Sequence, residues 1–417
     1  MEKAEFHVSA VDTTCVAVGS SAEFSVVLFF RSQRRDAIPM ITLSPVPDGV
    51  TVVASVEKAE QMAEKKKAPP LIILESLQAY LEEIGFGTGE LMWGRLGSQG
   101  SSGTFHIALD ENVHYALKRR LDGPQPSDVM SLADEIKLLE VLRGHHLHAP
   151  DVLHVCNDAS IIGAPFYLSA FLPGERVVNS IPDALNNVEE KVGMSRRAID
   201  DLARIQVEIT PSEIAALDHG GSDLRKLVLE SKRLGRKLKM RRLPGFEILG
   251  DYLLENAPEP YPSVLSHGRY SMQNLLFLDK APATISGVFG WERATACDPL
   301  MDLGYFTATY SARDLPETPL DTAPVTRDED GFLSRNELVN VFRIATHLDT
   351  ANLPWFQTFC LWREAVRLEE IYERLMNKEA VPSKSFALSL RDGVPAILAN
   401  AAHFSKVDGV EATAPKR

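Results

Sequence analysis

The chain has 417 residues, 45% of them hydrophobic and 24% charged, an ordinary balance for a folded protein with room for two substantial cores. Its 57 acidic and 44 basic residues give a formal net charge of -13, which opposes diffuse binding to nucleic acid or an anionic membrane and makes any phosphate ligand depend on local cations. The four cysteines, Cys15, Cys156, Cys297 and Cys360, are too far apart for a Cys-x-x-Cys metal knuckle or a disulfide framework.

The first five residues, Met-Glu-Lys-Ala-Glu, lack the basic region of a signal peptide, and the apolar run at residues 24–30 is too short to span a bilayer. A reducing cytoplasm is therefore the expected location. Residues 1–67 hold β-like runs at 24–30 and 50–56, then a charged stretch at 57–67 before Pro69-Pro70, the pattern of an appendage on a linker. Helical spacing begins at Leu71, with Leu74, Leu77 and Leu81 on one face, and Gly85-Phe86-Gly87 ends it. Runs at 91–96, 104–109 and 114–118, separated by a glycine- and serine-rich turn and by Asp110-Glu111-Asn112, predict a small antiparallel sheet. A helix over 128–142 and a strand over 166–171 follow, and Pro173-Gly174 closes the strand.

Beyond Gly174 the pattern is mainly helical, so residues 68–173 form one expected lobe and 174–417 another. Amphipathic helices are predicted over 197–205 and 361–375, the latter with Leu361, Ala365, Leu368, Tyr372 and Leu375 on one face. His145, His146 and His148 fall in a short connection before Pro150, lack the i, i+4 spacing of a helical metal site and are read as solvated loop. The proline-broken acidic stretch at 314–330 is read as an exposed loop and residues 407–417 as a frayed tail. The run from Thr326 through Asp328, Asp330 and Gly331 to Glu337 has the spacing of a calcium-binding EF-hand loop, which a calcium-responsive interaction protein would use. Thr326 stands where aspartate is wanted, prolines at 316, 319 and 324 leave no entering helix, and Ser334-x-x-Glu337 fits a helix capping box better.

The segment His267-Gly268-Arg269-Tyr270-Ser271-Met272-Gln273-Asn274, followed by Leu275-Leu276-Phe277, resembles the signature of the aminoglycoside and choline kinase-like phosphotransferases: His-Gly-Asp, four residues, Asn and an apolar strand. Downstream, Gly290-Trp291-Glu292 and Asp298-Pro299-Leu300-Met301-Asp302-Leu303 resemble that family's Asp-Trp-Glu and Asp-Pro-x-x-Asp-Leu. Upstream, Lys118 and Glu135 match its paired lysine and glutamate, and the turn bearing Gly97, Gly100 and Gly103 matches its phosphate-covering loop. The resemblance covers residues 72–405 and extends to the kinase-like domains fused to some acyl-CoA dehydrogenases.

It implies an α+β, protein-kinase-like fold with a small antiparallel β-rich N-lobe and a larger, mainly helical C-lobe. It also implies ATP and Mg²⁺ as cofactors and an unidentified hydroxyl-bearing small molecule as acceptor. By the family's pattern Lys118 contacts the α and β phosphates with Glu135 bracing it, Asn274 supplies a magnesium ligand and His267 braces the loop. Two positions depart from the pattern. Arg269 occupies the place of the general base, and a guanidinium cannot accept a proton. Gly290 occupies the place of the magnesium carboxylate and offers no side-chain oxygen. The expectation is a pseudokinase-like phosphotransferase of impaired turnover. The alternative is an active enzyme in which Glu292 substitutes as metal ligand and Arg269 contacts phosphate.

Overall fold

A computed structural model describes residues 13–18, 25–30, 72–96, 102–109, 113–120, 129–217, 223–238, 241–310, 315, 318–320, 325–328, 331–377 and 384–410. The chain divides into two compact units, Met1–Pro70 and Leu71–Arg417. In the first, β1 (Thr13–Val18) and β2 (Ser25–Phe30) pair antiparallel, with Thr13 opposite Phe30 and Val18 opposite Ser25. The β-like run at 50–56 lies outside the described residues.

The second unit opens with α1 (Leu74–Glu83), whose Leu77 and Leu81 are buried while Leu74, predicted on the same face, is 37% exposed. Gly85 adopts a left-handed φ of 76° just after it. Five strands follow: β3 (Met92–Leu96), β4 (Ser102–Ala108), β5 (His114–Arg120), β6 (Val152–Cys156) and β7 (Phe166–Ala170). They form one antiparallel sheet in the order β3-β4-β5-β7-β6. Strand β6 escapes prediction because its pattern is inverted: Leu153 and Val155 face outward, while the part-buried His154 ring nitrogen lies 2.7 Å from the Tyr80 hydroxyl. Helix α2 (Leu132–Gly144) is capped by Ser131, which accepts from the Asp134 amide, and it buries Glu135, Ile136, Leu138, Leu139 and Leu142.

A small core under the sheet joins Leu77, Leu81, Phe105, Ile107, Leu117, Phe166 and Leu168. A larger core joins helices Val188–Glu208, Leu300–Thr309, Leu353–Met376 and Lys384–Ser405, with Trp291 and Trp362 among its largest buried side chains. Among the described residues no helix is long and apolar enough to cross a membrane.

Four local expectations need correction. His145 pairs with Glu213 at 2.7 Å and His148 with Asp201 at 2.6 Å, so these two rings are tethered by carboxylates and are not simply solvated. In the stretch read as exposed loop, Leu315, Leu320 and Thr326 are buried. Val407 and Val410, read as tail, pack against the larger core; residues 411–417 lie outside the described set. The third apolar run continues past Lys118 to Arg120, which matters for the site below. The capping box is present: the Ser334 hydroxyl accepts from the Glu337 amide, and the Ser334 amide donates to Glu337 Oε2 at 2.8 Å, so that carboxylate is engaged in holding a helix end.

Candidate active site

Alternation along β5 turns Leu117 into the sheet core and leaves Lys118 and Arg120 on different faces from their immediate neighbours. Lys118 stands opposite Tyr167 in the β5–β7 register. These three side chains converge on Glu135 of α2, which is 1% exposed. Lys118 Nζ lies 2.5 Å from Glu135 Oε1, Arg120 Nη2 lies 2.9 Å from Oε2, and the Tyr167 hydroxyl donates to Oε1 at 3.2 Å. A second carboxylate, Glu292, accepts from Lys118 Nζ at 2.8 Å. The Met130 amide, just before α2, donates to the Glu292 carbonyl at 2.9 Å and ties the two segments together.

Burial works against the Lys118 ammonium, but Glu135 and Glu292 outweigh it and hold its pKa well above the ordinary lysine value. Burial likewise opposes ionised Glu292, and Lys118 outweighs it, holding that carboxyl well below the usual range. Of the glycines assigned to the phosphate-covering turn, Gly97 and Gly100 lie outside the described residues, and Gly103 sits on β4 opposite Arg119.

Strand β8 (Val264–Ser266) delivers the chain into the loop His267 to Asn274. His267 is buried; its Nε2 donates to the Phe289 carbonyl at 2.7 Å and its Nδ1 accepts from the Arg269 amide at 3.2 Å, the pattern of a neutral ring. Burial pushes its pKa down to about 4. Asp302 accepts from the His267 amide at 2.6 Å and the Gly268 amide at 3.0 Å, and burial pushes its carboxyl up to about 6 against those bonds. Asp298 accepts from the Tyr261 and Leu300 amides, each at 2.8 Å. Asp302 therefore braces the loop through backbone groups, while Asp298 ties the segment before β8 to the start of helix Leu300–Thr309. Gly268 has φ 80°, and a Cβ there would overlap the Arg293 carbonyl oxygen, which explains a glycine at this point.

Asn274 ends a 3₁₀ turn; its Nδ2 donates to the Arg269 carbonyl at 3.0 Å. Gly290 has φ 90° and ψ 28°, and a Cβ built on it would lie 3.2 Å from Asn274 Nδ2 and 3.4 Å from His267 Cε1. Positions 267, 274 and 290 are thus neighbours, while the Glu292 carboxylate is engaged by Lys118. Arg269 donates through Nε to the Tyr305 hydroxyl at 3.2 Å, its guanidinium carbon sits 6.0 Å from the Tyr305 ring centroid, and Glu364 Oε1 is 3.8 Å away. Glu364 is itself held by Arg367 at 2.6 Å. Tyr305, against the opposing effect of burial, and then Glu364 hold the Arg269 pKa above the usual arginine value.

Arg120, Tyr167, Tyr305 and Glu364 belong to this constellation but carry no motif. Glu364 gave one signal, an acid inside an amphipathic helix, and it is fully packed there. The donor set does not fit a hard divalent cation: one amide oxygen is on offer at Asn274, none at Gly290, and Glu292 is occupied. Among the described residues, no group of three or more His, Cys, Asp or Glu side chains is placed to hold a metal ion.

Residues 93–327 match the model of the family described as phosphotransferase enzymes, APH. Acyl-CoA dehydrogenase family member 10 of Mus musculus is 24% identical over 318 residues, covering 73% of this chain and 29% of that protein. The chain thus spans less than a third of that relative's length. A crystal structure from Ralstonia eutropha, of a protein whose own assignment as an aminoglycoside phosphotransferase is provisional, superimposes with a TM-score of 0.62 at 18% identity and covers 80% of this chain and 98% of the other. A variant of aminoglycoside phosphotransferase APH(4)-Ia, in a ternary complex with ADP and hygromycin B, gives a TM-score of 0.50 at 14% identity over 78% of this chain and 99% of the other. With the sheet, the Lys118–Glu135 pair and the braced His267 loop in the order this fold requires, the chain belongs to the APH phosphotransferase enzyme family.

Proposed function

We propose that this chain binds a nucleotide in the manner of its family but transfers phosphate to a hydroxyl acceptor only weakly, serving as a binding or regulatory module. The observation that carries this is the buried Lys118–Glu135 pair, kept intact while the family's sequence pattern assigns Arg269 and Gly290 to its base and metal-carboxylate positions. An ammonium has three N–H donors, and two of them serve Glu135 and Glu292, which leaves one for a phosphate oxygen. The ADP-bound neighbour supports a nucleotide at this site.

Phosphoryl transfer depends on positioning and electrostatic stabilisation, with a carboxylate to orient the attacking hydroxyl. Arg269 cannot take that proton, and loss of positioned acid-base help costs about 10²- to 10⁴-fold in rate. A chain that recruits Glu292 for metal would have to release it from Lys118, where it makes a 2.8 Å ion pair. The test is ADP affinity and ATP turnover for the wild type, Lys118→Ala and the double variant Arg269→Asp with Gly290→Asp. ADP binding should weaken at least tenfold in Lys118→Ala, and turnover should rise from near background in the double variant. Wild-type turnover of about 1 s⁻¹ or more, the range of working kinases, would overturn the proposal.

A further inference from the structure

The departure at position 269 replaces a group that repels anions with one that attracts them. Arg269 uses Nε on the Tyr305 hydroxyl at 3.2 Å, and its two terminal nitrogens make no hydrogen bond among the described residues, although the side chain is 30% exposed. The carboxylate beside it, Glu364, is 3.8 Å away, beyond hydrogen-bond reach, and is held by Arg367 at 2.6 Å. Asp298 and Asp302 are occupied by backbone amides.

A guanidinium fork matches the paired oxygens of phosphate or carboxylate, and a cationic acceptor would meet like charge here. We propose that the acceptor side of this site takes a small molecule bearing a phosphate or carboxylate, gripped by the terminal nitrogens of Arg269. The inference rests on the site assigned above, but it concerns the acceptor and not the nucleotide.

Equilibrium dialysis of radiolabelled inorganic phosphate, and separately of succinate, against the full chain saturated with ADP tests it. Binding of either anion should weaken about tenfold or more in Arg269→Ala, since charge-assisted bonds of this kind contribute that much. Arg269→Lys, which keeps charge and solubility but loses the fork, should fall between. Arg233→Ala, on the exposed face of helix Leu224–Lys237, should bind as the wild type does. Absence of binding by both anions, or equal binding by wild type and Arg269→Ala, would overturn the inference. If ADP fails to bind, the nucleotide proposal falls separately; anion binding that survives Lys118→Ala but not Arg269→Ala then still supports the anion site.

Discussion

Removing the ammonium of Lys118 leaves the Glu135 and Glu292 carboxylates without the cation they share. The side chains of Lys118, Glu135 and Glu292 are 11%, 1% and 21% exposed, so water can relieve Glu292 but not Glu135. Breaking a buried ion pair by deleting one partner costs about 3–5 kcal/mol, mostly from the charge left behind. Arg120 at 2.9 Å and Tyr167 at 3.2 Å still serve Glu135, which places Lys118→Ala near the lower figure, about 3 kcal/mol. At roughly 2 °C per kcal/mol for a domain of this size, Tm should fall by about 6 °C. Adding Glu135→Gln removes the orphaned charge, so the double variant should be less destabilised than the sum of the singles by about 1–3 kcal/mol. Differential scanning calorimetry on the four proteins of this cycle measures both quantities. A Tm change under about 1 °C for Lys118→Ala, or strict additivity, would refute the reasoning that a buried carboxylate depends on this lysine.

Acid stability probes the braced loop. His267 has a folded pKa of about 4 against ~6.5 unfolded, so its neutral-state stabilisation is present above ~6.5 and lost as pH falls to ~4, about 3 kcal/mol in all. Asp302 has a folded pKa of about 6 against ~3.9 unfolded, so its contribution is present below ~3.9 and lost as pH rises through ~6, with nearly the opposite slope. Urea midpoints should therefore change little from these two groups between pH 6 and 4 in the wild type, and Asp302→Asn should expose the His267 loss; an unchanged pH profile in that variant would contradict the assignment. Backbone geometry gives a further contrast: Gly268→Ala, with φ 80° and the Arg293 carbonyl in the way, should cost about 3 kcal/mol or more, while Gly85→Ala, with φ 76° and open space, should cost about 1–2 kcal/mol. Equal denaturation midpoints for the two would remove the close-approach explanation of Gly268.

Much of this molecule could be read before folding because its signals are local. The run from His267 to Asn274, the swaps at 269 and 290, and the Ser334–Glu337 cap depend on residue identity and short spacing, which the covalent chain itself sets. The strands carrying Lys118 and Tyr167 followed from apolar runs with clear turns between them. Strand β6 did not, because His154 points inward to Tyr80 while its apolar neighbours face out.

The tertiary structure alone decided which charges meet. Lys118 and Glu292 are 174 positions apart and share a 2.8 Å ion pair, and the tether of Arg269 to Tyr305 joins a loop to a buried helix. Period and motif describe one element at a time; the partner of a buried charge lies on another element and is selected by packing. The sequence could therefore name Arg269 and Gly290 as departures, and only the fold could show Glu292 held by Lys118 and the Arg269 fork left without a carboxylate in hydrogen-bond reach.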